Sequence, residues 1–390
     1  MNRRELLAAA AFWAATPALA RAGDFSSFVQ SFRVAALAAG VSAATFDSVA
    51  SSLAPDPTLG GKRAAQGEFV QPLKSYVDAA ASPARAAKGR AMAQKYAGPL
   101  REIAARYGAP AAMIVALWGM ESDFGAARGD RDILRSLATL AFLNPDNPVY
   151  GQEFVAGLVL LQRGIPREKL RGSWAGAMGD PQFMPSAYLK YARSFQGSGA
   201  PDIWTSAPDS LASIGNFLKE SGWAHGLPPL IEAKIPRDFA YGSLRGDFGA
   251  FANVGVAPVA GGALPRSGEA MLFFPLGAPS PAFLLSGNFF VLKAYNFSDS
   301  YAFAASVLAD RIAGRPALRA PWPKETRPLT FAERQALQRG LAARGLYDGK
   351  IDGRFGPVTR LAIHELQKKS GVAKADGYPS RAVLEILDKK

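Results

Sequence analysis

The residues best suited to chemistry lie in Trp118-Gly119-Met120-Glu121-Ser122-Asp123-Phe124-Gly125, where one carboxylate follows a run that is apolar on every side. That run, Pro110 to Met120, opens on a proline. Proline suits the first turn of a helix, because its missing N–H would have no partner there anyway. A helix apolar all round is buried. Glu121 follows Ile114, Leu117 and Trp118 at helical spacing and shares their face. The spacing therefore aims it at an interior or a cleft floor. It also sits at the C-terminal end of its helix, where the macrodipole disfavours negative charge. Desolvation and dipole both favour the protonated carboxyl, the form a general acid needs near neutral pH. The plainer alternative is a solvated Glu at a helix end. Asp123, two positions on, points away on a helix and reads as a surface or capping residue.

Two further stretches carry polar groups in unusual settings. Gly172-Ser-Trp-Ala-Gly-Ala-Met-Gly-Asp-Pro-Gln-Phe-Met-Pro-Ser186 places glycines at 172, 176 and 179 among small alanines. Such a stretch lets backbone come close to something else, with Ser173 and Gln182 left to face it; a tight structural loop is the alternative. Asn288 to Tyr301 reads as a strand running into a helix, with Tyr295, Asn296 and Tyr301 as amphipathic hydrogen-bonders. Aromatics of this kind line sugar sites, although a tyrosine is as often core.

The elements that must position these groups are mainly helical. Phe25 to Ala39 reads as a helix closed by Gly40, and Ser42 opens the next. Lys88 to Tyr107 favours helix, with an interruption at Gly98-Pro99, and residues 131–220 are again mainly helical. Between about 230 and 293, Gly and Pro separate short runs: Ala270 to Pro275, Ala282 to Leu285, Phe289 to Leu292. These are strand signals, and they predict a small β subdomain. Helix returns from Ser300 to Ile312. A proline-rich linker, residues 316–329, stops regular structure. Thr330-Phe-Ala-Glu333 is then a capping box that starts a new helix.

Composition narrows the chemistry. With 390 residues the chain has room for two or three domains. Its 45 basic and 32 acidic residues give a net charge of +13, which favours an anionic partner. No zinc finger, RNP-like motif or long basic helix is present, so nucleic acid is not the expected partner. There is no cysteine. That removes disulfides, thiol nucleophiles, thiolate metal sites and a lipid anchor on an N-terminal Cys. The two histidines, His225 and His364, are isolated, and His364 is expected at a surface or half-buried position. Asp348-Gly349 and Asp352-Gly353 lack the alternate-position acids of a calcium loop and read as turns. No metal and no cofactor is expected. The N-terminus, with Arg3 and Arg4 ahead of an apolar Leu6 to Ala18 and small residues near 20, reads as a signal peptide over residues 1–22. Asn2-Arg-Arg-Glu-Leu-Leu7 fits a twin-arginine signal as well as the general export route. No other segment is long and apolar enough for stable membrane insertion, so an exported, periplasmic protein is expected.

Taken together, the three stretches resemble the B family of lytic murein transglycosylases. The order matches: Glu121-Ser122 after an apolar helix, then GSWAGAMGxxQFMPS, then YNxSxxYA, with Asp202-Ile-Trp204, Asp209, Ile214, Asn216 and Gly222-Trp223 between. The resemblance covers roughly residues 25–315, and its long second motif is highly specific. It implies a mainly α (α+β) fold: a lysozyme-like helical catalytic core over residues 23–315, with the small β subdomain inside it. It makes Glu121 the single catalytic acid/base and places Ser173, Gln182, Tyr295, Asn296, Tyr301 and Tyr150 along the glycan cleft. Phe217 departs from the pattern, standing where some members carry a tyrosine, and Asp180-Pro181 replaces a tyrosine-glycine. The segment 330–390, with Leu337 to Thr359, Ile363 to Gln367 and Asp376-Gly377, is similar to a three-helix peptidoglycan-binding domain. In it Gly345 ends the first helix, and Gly356-Pro357 opens the second.

The chemistry implied by the resemblance is non-hydrolytic cleavage of the β-1,4 bond between N-acetylmuramic acid and N-acetylglucosamine, leaving 1,6-anhydromuramic ends. Ordinary glycosidases use two carboxylates; here the substrate supplies its own nucleophile. The partner is then the glycan strand of peptidoglycan; the sequence identifies no cell-wall assembly protein as a further partner. Two alternatives stand beside this: a hydrolytic muramidase, and a non-catalytic wall-binding protein.

Overall fold

A computed structural model describes residues 24–59, 71–197, 199–323 and 327–389. The export signal read over residues 1–22 lies outside them. The described residues form two compact units: 24–59, 127–192 and 202–205 in the first, and those of 71–126, 193–201 and 206–389 in the second.

The first unit is helical. Its longest elements are the Ile133–Leu143 and Pro148–Gln162 helices, packed on one another and on short helices at Phe25–Gln30, Arg33–Ala38 and Ala43–Ser52. The expected single helix from Phe25 to Ala39 is thus two, broken at Ser31-Phe32. The break follows from packing: Phe32 stacks edge-on against Phe28 and Phe154, and its ring fills the space beside Gly151, where a Cβ would come within 2.5 Å. A two-residue ladder, Arg131–Asp132 with Arg171–Gly172, carries the glycine-rich loop.

The second unit centres on the Ala111–Ser122 helix, buried from Met113 to Gly119. Its uniform apolarity is why it is central, since no face needs water. It packs against the Pro83–Lys95, Ala207–Glu220 and Asp299–Ile312 helices. The helix expected to break at Gly98-Pro99 breaks at Tyr96 instead, because Pro99 is accommodated in the first turn of Ala97–Tyr107. No single described helix is long and apolar enough to cross a membrane.

The β subdomain is a five-stranded antiparallel sheet in the order Arg245–Asp247, Glu269–Phe273, Ala282–Ser286, Leu230–Lys234, Ala257–Pro258. The adjacent strands Glu269–Phe273 (from Ala270 on) and Ala282–Ser286 are buried on both faces, which is why they read as continuous apolar runs. Leu272, Phe274 and Leu284 meet Tyr241, Leu244, Phe248 and Phe251 on one side. On the other, Phe283 meets Phe303, and Phe273 meets Phe289. Phe289 to Leu292 is not a strand. It lies within the Gly287–Tyr295 helix, capped by Ser286, whose hydroxyl accepts the Asn288 N–H at 3.1 Å. A four-residue apolar run fits a buried helix as well as a strand; the cap decides. The Asn288–Tyr301 stretch therefore runs from helix to helix.

The C-terminal segment has three described helices, Phe331–Ala343, Pro357–Lys369 and Arg381–Asp388, around Leu337, Leu341, Ile363, Leu366 and Val383. Thr330 and Glu333 form the reciprocal capping box. Asp352 accepts from the Arg354 N–H and from Gln338, a turn role. The linker lies on the sheet. Glu232 accepts the Arg319 and Ala320 N–H groups, and Trp322 packs 6.2 Å from Phe283. His364 is neither exposed nor half-buried. It is 2% exposed, with Nε2 2.8 Å from the Tyr241 carbonyl. Helical periodicity places it on the side of Leu361, which joins the β-subdomain core, so a face that looks outward in the isolated helix is an interface.

Candidate active site

Glu121 stands one residue from the end of its helix, beyond the buried Ile114, Leu117 and Trp118, and is itself half-buried. The chain stops there through a run of left-handed residues: Asp123 (φ 49°), Phe124 (φ 60°) and Gly125 (φ 82°). Two consecutive non-glycine residues in that region are strained, and the surroundings hold them. The Phe124 ring folds back on Trp118 at 5.7 Å and covers Gly119, where a Cβ would lie 2.6 Å from it. Lys88 reaches the Asp123 carbonyl at 3.1 Å and its carboxylate at 2.7 Å, with Arg85 at 3.9 Å. Cations at a helix C-terminus suit its dipole. Asp123 thus caps the helix and pairs with Lys88, turned to a partner of its own. The sequence offers Lys88 only as one of many basic helix residues, so its role there was not legible.

The groups facing Glu121 come from a corner between two helices, Gly287–Tyr295 and Asp299–Ile312. The Tyr301 hydroxyl donates to Glu121 Oε1 in a short hydrogen bond. Burial, then the nearby Glu121 carboxylate, push the Tyr301 and Tyr295 phenols well above the ordinary tyrosine value. Both stay protonated, so Tyr301 acts as a fixed donor. A phenol donated to a carboxylate favours its ionised form and opposes the burial and dipole effects expected from the sequence. The Asn296 side chain accepts the Ser298 N–H at 3.1 Å and shapes the corner. Phe217 packs its ring 4.6 Å from Tyr295. The structure therefore brings Glu121, Tyr295 and Tyr301 together in the second unit.

Ser173, Gln182 and Tyr150 lie in the first unit. Ser173 and Gln182 line a hollow of about 330 Å³ with Arg128, Gly129, Arg131 and Trp174. Tyr150 is half-buried in the first turn of the Pro148–Gln162 helix and is not among the residues lining that hollow. The glycines of this loop serve the chain's own folding. A Cβ at Gly172 would sit 1.9 Å from the Ala177 carbonyl oxygen, and one at Gly179 2.5 Å from that of Ile203. The loop closes through the Ser173 N–H to Ala177 O at 2.7 Å and paired Met178–Phe183 bonds. Gln182, at φ 50°, donates its amide to the Arg128 and Gly179 carbonyls at 3.0 and 2.8 Å. Asp180 is buried against Arg128. The loop is thus tied down by an ion pair, and Arg128 was not legible as the partner of Asp180. Asp202 stabilises the neighbouring turn. Burial works against its ionisation, but the Thr205 hydroxyl, Lys169 and the 204 and 205 N–H groups outweigh it and hold the carboxyl at about 2.

Among the described residues no group of three or more His, Asp or Glu could hold a metal ion. The site residues present are one carboxylate, phenols, amides and a hydroxyl.

A family model described as transglycosylase SLT domain matches residues 24–310, and a peptidoglycan binding domain model matches residues 332–387. The chain is 31% identical over 215 residues to the membrane-bound lytic murein transglycosylase B of Escherichia coli (strain K12). That match covers 53% of this chain and 58% of the relative, so the chain spans little over half of its length. The fold is similar to SltB3 from Pseudomonas aeruginosa, solved in complex with NAG-anhNAM-pentapeptide, at a TM-score of 0.82 and 40% identity over 93% of this chain and 99% of that one. It is also similar to the soluble lytic transglycosylase SltB1 of the same organism, at a TM-score of 0.64 and 27% identity over 74% and 98%. The chain belongs to the SLT-domain transglycosylase family.

Proposed function

We propose that this protein is an exported lytic murein transglycosylase that cleaves the β-1,4 bond between N-acetylmuramic acid and N-acetylglucosamine, with Glu121 as its single acid/base. The observation that carries the reading is the Glu121 carboxylate, fixed at the end of a buried helix and bonded by Tyr301. Asp123, the nearest carboxylate in sequence, is engaged by Lys88 and Arg85. A similar fold has been solved with an anhydro-muramoyl fragment bound.

In this reaction Glu121 protonates the glycosidic oxygen as its bond to C1 of the muramoyl residue breaks. The resulting carboxylate takes the proton of the muramoyl 6-hydroxyl, and that oxygen bonds to C1. One bond breaks and one forms, the proton passes through Glu121, and no water is consumed. Tyr301 stabilises the ionised stage of Glu121, and Tyr295 and Asn296 orient the acetamido group and Glu121. Ser173, Gln182 and Tyr150 line the path of the glycan strand in the first unit.

Mass analysis of sugar ends after digestion of purified sacculi tests this. The expected muropeptides carry 1,6-anhydro ends, lighter by one water than those of a muramidase. Predominantly reducing muramic ends would show a hydrolase instead.

The C-terminal helices are read as the wall anchor, consistent with the net charge of +13. Residues 24–329 alone should lose roughly tenfold in sacculus pull-down, a loss of binding that is read independently of turnover. Equal pull-down by both forms rules out the anchoring role. N-terminal sequencing of envelope protein checks export: the mature chain should begin near Arg21 or Gly23, and an intact Met1 in the cytoplasm would count against it.

A further inference from the structure

The C-terminal helices bury a guanidinium that no step of the reaction uses. Arg360, on the Pro357–Lys369 helix, donates to Asp299 Oδ2 through Nη2 at 2.7 Å and Nε at 3.3 Å. Its guanidinium lies 4.6 Å over the Phe273 ring. Asp299 already has a partner, because Lys293 donates to its other oxygen. That bond closes the corner from within, joining the last turn of Gly287–Tyr295 to the first turn of Asp299–Ile312. All three side chains are less than a fifth exposed. One carboxylate between two buried cations is more than neutralisation requires, so the Arg360 fork supplies geometry. Two more contacts hold the same corner from the C-terminal helices and their loop. Lys293 Nζ lies 3.5 Å from the Phe355 carbonyl, and the Arg354 guanidinium 5.0 Å over the Phe297 ring. Between Lys293 and Tyr301 lie Tyr295 and Asn296, and Tyr301 donates to Glu121.

We propose that Arg360 is a positioning residue for the active site: through Asp299 it fixes the first turn that carries Tyr301, and so the phenol's placement on Glu121. The glycan-binding segment then sets the acid as well as anchoring the enzyme. This rests on the reading of Glu121 as the acid/base. The charged and titratable groups involved are Tyr301 and Tyr295 beside Glu121, Tyr76 near Tyr301, and Lys293 and Arg360 around Asp299.

The test uses the full chain on soluble, uncross-linked glycan strands, with kcat, KM and the pH profile measured for each variant. Arg360→Ala should lower kcat about five- to tenfold with KM within twofold, as a weakened charge-assisted bond allows. A loosened phenol favours the protonated carboxyl, so the pH at which activity falls on the alkaline side moves upward. Tyr301→Phe should move it in the same direction. Arg360→Lys keeps the charge without the fork and should recover part of kcat. Asp376→Asn weakens another bond of the same junction, the 2.7 Å contact with the Ala278 N–H, and should leave the profile in place. Unchanged kcat and profile in Arg360→Ala, a loss confined to KM, or an equal shift in Asp376→Asn would overturn the proposal. If Arg360→Ala does not fold, an Arg360→Lys enzyme with wild-type kcat and profile does so. Glu121→Gln separates the two ideas. An active Glu121→Gln enzyme defeats the reading of Glu121, whereas an inactive one beside a normal Arg360→Ala defeats only the role of Arg360.

Discussion

Glu121→Gln should lower turnover of glycan strands by about 10²–10⁴-fold, the usual contribution of general acid–base catalysis. Glutamine keeps the shape and still accepts the Tyr301 hydroxyl, so the buried helix and the corner facing it are undisturbed. The melting temperature and sacculus binding should therefore stay close to wild type. What is lost is a proton to give to the glycosidic oxygen and a base to take one from the 6-hydroxyl. Asp123→Asn is the matched comparison. Asparagine tolerates the left-handed conformation that Asp123 adopts at φ 49°, and the Lys88 bond to the 123 carbonyl is retained. Its activity should stay within about threefold of wild type, since a half-exposed ion pair contributes little. Activity in Glu121→Gln, or a large loss in Asp123→Asn, would place the acid elsewhere.

Gly172→Ala should be the most damaging single methyl group in the first unit. The new Cβ would sit 1.9 Å from the Ala177 carbonyl oxygen and 2.8 Å from its carbon. Both atoms are backbone, in a loop closed by the Ser173–Ala177 hydrogen bond, so no side chain can swing aside. Overpacking of this kind costs about 3 kcal/mol, a fall of roughly 4 °C in melting temperature for a protein of this size. Activity should fall with it, because Ser173 and Gln182 are carried on the same loop. Gly98→Ala meets nothing within 4 Å in the first turn of a helix. It should be neutral or stabilise by up to about 1 kcal/mol. Comparable melting temperatures for the two variants would show that the loop opens to accommodate the methyl.

Elements whose signals are local can be read from the residues alone. The uniformly apolar run before Glu121 could only be a buried helix, and the capping box at Thr330-Glu333 and the glycine-proline opening at 356–357 are contacts between near neighbours. Glu121 also stands out, because a carboxylate at the end of such a run is costly without a purpose. Features that depend on distant partners emerge only once the helices and sheet are packed. Phe289 to Leu292 has the composition of a strand, and only the Ser286 cap and packing against Phe273 make it helix. His364 looks half-exposed until its helix meets the Tyr241 carbonyl, 123 residues away. The glycines of residues 172–179 suggested close approach, and the structure shows that what approaches is the chain's own backbone. Lys88, Arg128 and Arg360 look like three of 45 basic residues. Their partners, Asp123, Asp180 and Asp299, are between 35 and 61 residues off in sequence. Charge pairing has no sequence period, so only the packed helices could bring these groups together.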